Sequence, residues 1–401
     1  MCVLWKKDQE SYDHNRFIDY FLMSLIVLIV SAVIFRQRML FVAIGFMVTY
    51  LILYYLYEKT LTRKIKLKDR PTSIRLFPEE KMKLSFEIEN QSLFPIFNGK
   101  LTLQIASPVQ AYTYISGEEE YWKEPVHIYG SIPPRSQIRI KLPLLAKKRG
   151  VAKVNHIQYS LPHLFNYRLM TLRYGKRHET EIIVYPELLP VSGIQILNQM
   201  TPGMSRYQTS PFEDIQEPVT IRDYQQRDPF HRINWKASAK SLTLQTNVYE
   251  RVINRSFLFL VNVESPPNHY VDIEHVLSYT AYLSEYATKQ NIPYEIYLNA
   301  FKVGEIPFIH LPMSEGKVHF RNTLEMLARL KRMPVTYSFE QMVQHVLRYN
   351  QSFHTVVIIG LVSEETRTDL SRIGIRVFHI HEADDGAYLK PLVTSEVVKH
   401  A

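Results

Sequence analysis

The sequence predicts a multidomain chain: an N-terminal transmembrane α-hairpin, a β-sandwich, and an α/β doubly wound domain. Three observations predict it. Two long apolar runs near the N-terminus are joined only by Arg36-Gln37-Arg38. Short stretches that alternate polar and apolar residues follow, bounded by Pro, Gly and Asn. The last third changes to a continuous apolar strand, amphipathic helices and further apolar strands, the pattern of a sheet covered on both faces. A chain of 401 residues with 46% hydrophobic content can fill two soluble cores beside a hairpin. The predicted divisions are a flank over 1–16, the hairpin over 17–57, and a basic juxtamembrane segment with the β domain over 58–190. A connector over 191–255 and the α/β domain over 256–401 complete the chain.

The hairpin comes first. Phe17 to Phe35 is apolar apart from Asp19, Ser24 and Ser31, and Met39 to Tyr57 is a second such run. As helices, runs of about nineteen residues span about 28 Å, against roughly 30 Å of hydrocarbon. Neither run has a polar face, which argues against core helices, and no small-residue cleavage site separates them, which argues against a signal peptide. Lys6, Lys7 and Arg16 precede the hairpin, and Lys59, Arg63, Lys64, Lys66, Lys68 and Arg70 follow it. They outnumber Arg36 and Arg38, so both flanks and the soluble bulk are expected on the cytoplasmic side of a cell membrane. The lone cysteine, Cys2, suits a reducing compartment and precludes an intramolecular disulfide. The net charge of +9 is concentrated after the second span and comes without a nucleic-acid-binding motif. It therefore reads as a topology signal, and no nucleic-acid partner is expected.

In the β region Leu84, Phe86 and Ile88 alternate with polar residues and are expected to face a core. Asn90-Gln91-Ser92 reads as a turn. Leu101, Leu103 and Ile105 resume the alternation, and Ile138, Ile140 and Leu142 repeat it before the turn Lys147-Lys148-Arg149-Gly150. In the α/β region Phe257 to Val263, Ile292 to Leu298, Thr355 to Gly360 and Ile375 to Ile380 read as buried strands. Tyr270 to Gln290 reads as an amphipathic helix, and Leu324 to Leu330 belongs to another.

Arg222 to Lys240 is the densest segment in the chain. Asp228-Pro229 reads as a helix start, with the carboxylate as cap and Pro at the first position. Phe230, Ile233 and Ala237 would then form an apolar stripe, and Arg232, Lys236 and Lys240 a basic one. Two roles suit these residues. Arg222, Asp228 and Arg232 can form an ion-pair network, with Trp235 as a buried anchor between domains. Alternatively, the basic stripe can dock an acidic protein partner.

Arg222, Tyr224, Asp228, Arg232, Ile233, Trp235, Ser238 and Ala239, with Lys240 in place of a final Arg, resemble the hallmark of the bacterial membrane proteins of domain of unknown function fifty-eight (DUF58). Arg227 stands where that family has Gly, and His231 where it has Arg. The resemblance extends over the order of segments. It implies an Ig-like β region closing at Val184-Tyr185-Pro186, with Leu161 to Phe165 in place of an Asp-Pro-Phe-Gly-type segment. It also implies a von Willebrand factor A-like α/β domain, and as partners a MoxR-like AAA+ ATPase and a membrane protein with a transglutaminase-like domain.

Domains of the von Willebrand factor A type hold Mg²⁺ on an Asp-x-Ser-x-Ser run after the first strand, because hard cations need oxygen ligands and a leading carboxylate. Here the run is Asn262-Val263-Glu264-Ser265-Pro266. Asn262 replaces the Asp, Glu264 replaces the first Ser, and two prolines follow or fall in the loop beside Ser265 and change its backbone, so no metal or other cofactor is expected. His379 and His381, followed by Glu382, Asp384 and Asp385, could share a zinc ion from one strand face, but they read more simply as a final strand entering an acidic turn. No Gly-x-Ser-x-Gly run and no phosphate-binding Gly-rich loop occurs, and the chain has just 13 glycines. The expected function is a membrane-anchored, non-enzymatic adaptor or assembly factor without a small-molecule substrate. The alternative is a metal-dependent hydrolase built on Glu264 or on His379 and His381.

Overall fold

The computed structural model describes residues 5–7, 15–68, 72–105, 107–115, 118–121, 125–165, 169–175, 180–197, 213–226, 228–251, 256–264, 272–331, 334–349, 355–372, 376–383 and 386–392. These form two compact units. The first comprises residues 1–187 with 324–331, and the second comprises 188–323 with 332–401.

The first unit opens with β1 (Trp5–Lys7) and two helices, α1 (Asn15–Phe35) and α2 (Arg38–Lys64). Both helices are long and apolar enough to cross a membrane. Their outward side chains are uncovered by protein: Ile34 is 68% exposed, Met39 80% and Phe46 74%, as expected of helices solvated by lipid rather than by a protein core. Arg36 turns the chain between them with a φ of 48°. The second helix continues past Tyr57, where the apolar run ends, because its last turns have their own burial partners. Tyr57 and Leu61 are wholly buried in the β core.

Eleven more strands follow: β2 (Ile65–Lys68), β3 (Ser73–Leu76), β4 (Lys81–Asn90), β5 (Ile96–Ile105), β6 (Val109–Ile115), β7 (Glu118–Tyr121), β8 (Val126–Ile132), β9 (Ser136–Ala146), β10 (Gly150–Pro162), β11 (Leu169–Tyr174) and β12 (Glu181–Val184). One sheet runs β2-β4-β9-β6-β7. The other runs β1-β11-β10-β12-β3, with β5 on β10 and β8 on β5. The apolar faces of both sheets share one core. Leu84, Phe86 and Ile88 point into it, as do Leu101, Leu103 and Ile105, because a strand places alternate residues on one face. Leu142 is buried, while Ile138 and Ile140 are partly covered at its margin. The predicted turn lies later than expected. Asn90 ends β4 fully buried, and its amide donates to the carbonyls of Phe94 (2.9 Å) and Pro133 (3.1 Å).

The N-terminal flank is not merely a flank. Trp5 to Lys7 pair with β11 in the register Trp5 to Tyr174, and Trp5 is 2% exposed. Its ring meets Tyr174 edge-on at 5.3 Å. A three-residue strand carries no periodicity, so local sequence could not announce it.

The second unit contains β13 (Val191–Ser192), β14 (Glu213–Asp223), α3 (Trp235–Ser241), β15 (Gln245–Arg251), β16 (Phe257–Val261), α4 (Ile273–Lys289), β17 (Tyr294–Phe301), β18 (Phe308–Ser314), the start of α5 (Gly316–Arg329), α6 (Phe339–Tyr349), β19 (Thr355–Ile359), α7 (Glu364–Arg372), β20 (Arg376–Ala383) and β21 (Gly386–Pro391). Its main sheet has the order β13-β21-β20-β19-β16-β17-β18. The four strands β16, β17, β19 and β20 run parallel. Leu258, Leu260, Val356 and Ile358 pack against Phe339, Met342 and Val343 of α6 and Leu370 of α7. By alternation Phe257 and Phe259 face the opposite side, where Phe259 meets Tyr294 at 5.6 Å. Every residue of β16 and β19 is buried, the reason both read as unbroken apolar runs.

Trp5→Ala should lower the stability of the full chain by about 3–5 kcal/mol, the usual cost of emptying a buried Trp site. Thermal melts of the two proteins side by side check this. An unchanged melt would mean that β1 does not hold the sheet.

Candidate docking site

The Arg222–Lys240 segment folds with its flanking strands as a module of its own within the second unit. Strands β14 and β15 form a two-stranded antiparallel ribbon, in which Arg222 pairs with Thr246 and Asp223 with Gln245. Between them the chain makes a 3-10 turn over Phe230–Arg232 and then α3. Asp228 is not the helix cap. Its carboxylate takes both arms of the Arg222 guanidinium, at 2.8 and 2.7 Å, and the Gln225 amide at 2.9 Å. The Arg222 hydrogen bonds, and next the Gln225 amide, hold this carboxyl below the usual Asp range.

The helix starts six residues later than predicted, at Trp235 rather than Pro229, and its cap is Asn234 rather than Asp228. The Asn234 side chain accepts from the Ala237 amide at 2.9 Å, as a good N-cap does, and its NH₂ donates to Asn247 on β15 at 2.9 Å. Ser238 donates to the Asn234 carbonyl and accepts from the Gln245 amide, both at 2.8 Å. Leu242, at a φ of 58°, ends the helix. Asn234 was the readable signal for this start. Asp228-Pro229 matches the N-cap pattern more obviously.

These bonds divide the motif into two sets. Arg222, Asp228, Asn234 and Ser238 are used in shaping the module, and Ile233, 6% exposed, is its buried apolar anchor. The other set faces outward. Trp235 is 67% exposed, Phe230 74% and Leu242 92%, with Lys236 and Lys240 exposed beside them. Trp235 is therefore not the buried anchor expected, because the seven-residue helix gives its single inward face to the ribbon. Tyr224 is half-buried against the Phe230 ring at 5.9 Å, and Arg232 is half-buried.

The loop after β16, with Asn262 and Glu264, lies at the C-terminal end of the parallel strands. Asn262 donates to the Leu361 carbonyl at 2.7 Å and accepts from the Glu264 amide (2.9 Å) and the Asn299 side chain (2.8 Å). Asn299 in turn accepts from the Val263 amide at 2.8 Å. The ends of β16, β17 and β19 are thus tied together by two carboxamides. Gly360 is required there: its φ is 99°, and a Cβ would lie 2.2 Å from the Asn262 carbonyl oxygen. Glu264 is half-buried, and Ser265 lies outside the described residues.

His379 and His381 do share a strand face, with ring centroids 4.5 Å apart. His379 is engaged at both nitrogens. Nε2 donates to the Gly360 carbonyl at 2.7 Å, which leaves Nδ1 to accept from His381 at 3.3 Å. Burial pushes His379 down to about 4. Glu382 is taken by Tyr279 and His275, each at 2.8 Å, and Asp384 and Asp385 lie outside the described residues. Among the described residues no three His, Cys, Asp or Glu side chains are placed to hold one ion. Cys2 and Arg227 also fall outside them.

No protein-family model matches the chain, and no curated protein matches it. Solved structures give partial likenesses. A PapD-like domain of human CEP192 is 15% identical over 30% of this chain and 83% of that one, with a TM-score of 0.20. The α-2-macroglobulin of E. coli is 14% identical over 32% of this chain, which spans only 7% of that protein, with a TM-score of 0.22. The sporulation control protein Spo0M of Bacillus subtilis is 14% identical over 30% of this chain and 49% of that one, with a TM-score of 0.18. Likenesses this partial carry no argument about function.

His379 supplies a pH test. Its folded pKa lies below the ordinary value of 6.5, so the unfolded chain binds the extra proton first. Stability is then fully present above about pH 6.5 and falls as the pH drops toward 4, by about 3 kcal/mol in all. Wild type and His379→Gln, melted between pH 7.5 and 4.5, should differ in slope, the variant being flatter. Parallel slopes would remove His379 as the cause.

Proposed function

We propose that this chain is a membrane-anchored, non-enzymatic adaptor or assembly factor whose Arg222–Lys240 module docks an acidic protein partner. The observation that carries the reading is the outward set of Trp235, Phe230 and Leu242 beside Lys236 and Lys240, held on a module stiffened from beneath by Arg222, Asp228, Asn234 and Ser238. Exposed aromatic residues beside cations are the composition of interface anchors. The DUF58 resemblance supports a MoxR-like AAA+ ATPase as partner at this face and a transglutaminase-like membrane protein as a neighbour in the bilayer. The same resemblance supports an Ig-like identity for the β unit and a von Willebrand factor A-like identity for the α/β unit.

The loop after β16 does not suit Mg²⁺. The Asn262 oxygen already accepts two N–H groups, and its NH₂ faces a carbonyl, whereas a hard cation calls for a leading carboxylate there. The hydrolase alternative needs free ligands, and His379 has both ring nitrogens engaged. Metal analysis of the purified chain separates the two readings: stoichiometric Mg²⁺ or Zn²⁺ would favour the hydrolase.

Trp235→Ala, Lys236→Glu and Lys240→Glu should each melt within about 1 kcal/mol of the parent, since exposed substitutions cost little. Each should weaken capture of the MoxR-like ATPase, and capture by the parent should fall with added salt. If all three variants capture it as well as the parent, the docking reading fails.

The excess of Lys and Arg on the outer flanks supports a cytoplasmic placement of both soluble units. In intact cells, a thiol introduced by Gln37→Cys should react with an impermeant reagent and one introduced by Lys68→Cys should not. The opposite pattern reverses the orientation.

A further inference from the structure

We infer that the turn between β4 and β5 is a membrane footing that sets Leu93 into the headgroup–acyl boundary of the bilayer around α2. The inference rests on α2 being a membrane span. Three observations carry it, all within the first unit.

The first is depth. The helix meets its first charged residues after Arg38 only at Glu58 and Lys59. Just before them Ile52, Leu53, Tyr55 and Leu56 are 41–61% exposed, an apolar face that protein leaves bare. Within the same turns the other face is covered by the β unit. Phe94 meets Tyr57 at 5.1 Å, Phe165 meets Tyr57 and Tyr50 at 5.6 Å each, and the Tyr50 hydroxyl donates to the Phe165 carbonyl at 2.8 Å. These two turns therefore stand level with helix residues whose opposite side calls for lipid. Tyrosines clustered at this height match the aromatic belt of a membrane interface.

The second is the apolar tip. Leu93, the neighbour of Phe94, is 60% exposed. An exposed leucine alone means nothing, but this one directly precedes Phe94, whose ring packs on Tyr57 at the end of the apolar run of α2.

The third is rigidity. Ser92 donates to the Asn90 side chain at 2.6 Å, Asn90 donates to the Phe94 carbonyl at 2.9 Å, and both side chains are fully buried. Leu93 is thus held outward by a built turn, so its insertion needs no ordering of the loop. Burying a leucine side chain in this boundary favours one fixed stance of the β unit on the bilayer.

The test uses the full chain with Cys2→Ser, reconstituted in phosphatidylcholine nanodiscs, with single cysteines carrying nitroxide labels. The positions are Leu93→Cys, Phe46→Cys in the middle of α2, and Lys83→Cys, about 23 Å from Asn90 along β4. All three are exposed and tolerate a label. Accessibility to oxygen relative to a water-soluble nickel chelate is read at each. The expected result is a ratio at Leu93 several-fold above that at Lys83 and nearer to that at Phe46. A water-like ratio at Leu93 with a lipid-like ratio at Phe46 overturns the footing alone. A water-like ratio at Phe46 overturns the membrane span, and the footing with it.

Discussion

The second helix runs on past the end of its apolar run at Tyr57, and α2 buries these last turns in the β core. Tyr57 and Leu61 are wholly buried there, and Ile65, the first residue of β2, follows at 2% exposure. The helix becomes a strand with no linker, so the anchor and the first domain share one hydrophobic core. That core spans both sheets and holds Tyr57 and Leu61 of α2 together with Leu84, Phe86 and Ile88. Because buried aromatic contact is lost steeply when a ring is withdrawn, the β unit has little freedom to swing on its anchor. Trp5 adds a second tie to the same core from the other end of the hairpin.

In the second unit the polar residues with the most recognisable chemistry turn out to be those most occupied by structure. Arg222 and Asp228 satisfy each other, Asn234 and Ser238 bind the helix to its ribbon, and Asn262 with Asn299 ties three strand ends together. A side chain whose donors and acceptors are all engaged has nothing left for a ligand. What remains available is the outward set around Trp235. This is why surface recognition, rather than a catalytic constellation, is the reading of this module that needs the fewest further assumptions.

The local patterns told most where a single period governed burial. Leu84, Phe86 and Ile88 alternated because one strand face met a core, and β16 and β19 were apolar throughout because both faces were covered. The apolar hairpin was legible for a related reason: Phe17 to Phe35 and Met39 to Tyr57 are apolar on all sides, and both fold as helices long and apolar enough to cross a membrane. In the Arg222–Lys240 segment more than one residue suits a helix cap. Asp-Pro and Asn234 both offer a helix start, and only the Arg222 fork, fixed by the ribbon, removes Asp228 from the contest.

By itself, then, the sequence determined the two long apolar helices, the alternating strands around Leu84–Ile88 and Leu101–Ile105, and the buried strands β16 and β19, because each follows from the spacing of apolar residues along the chain. Only the tertiary structure decided that Trp5 closes a sheet, that Trp235 stands in the open, and that the second helix runs on into the β core. Each of those outcomes depends on partners remote in sequence: Tyr174 for Trp5, the β14–β15 ribbon for α3, and Phe94 and Phe165 for Tyr57. Burial is a property of such assembled neighbours, and no window of local residues contains it.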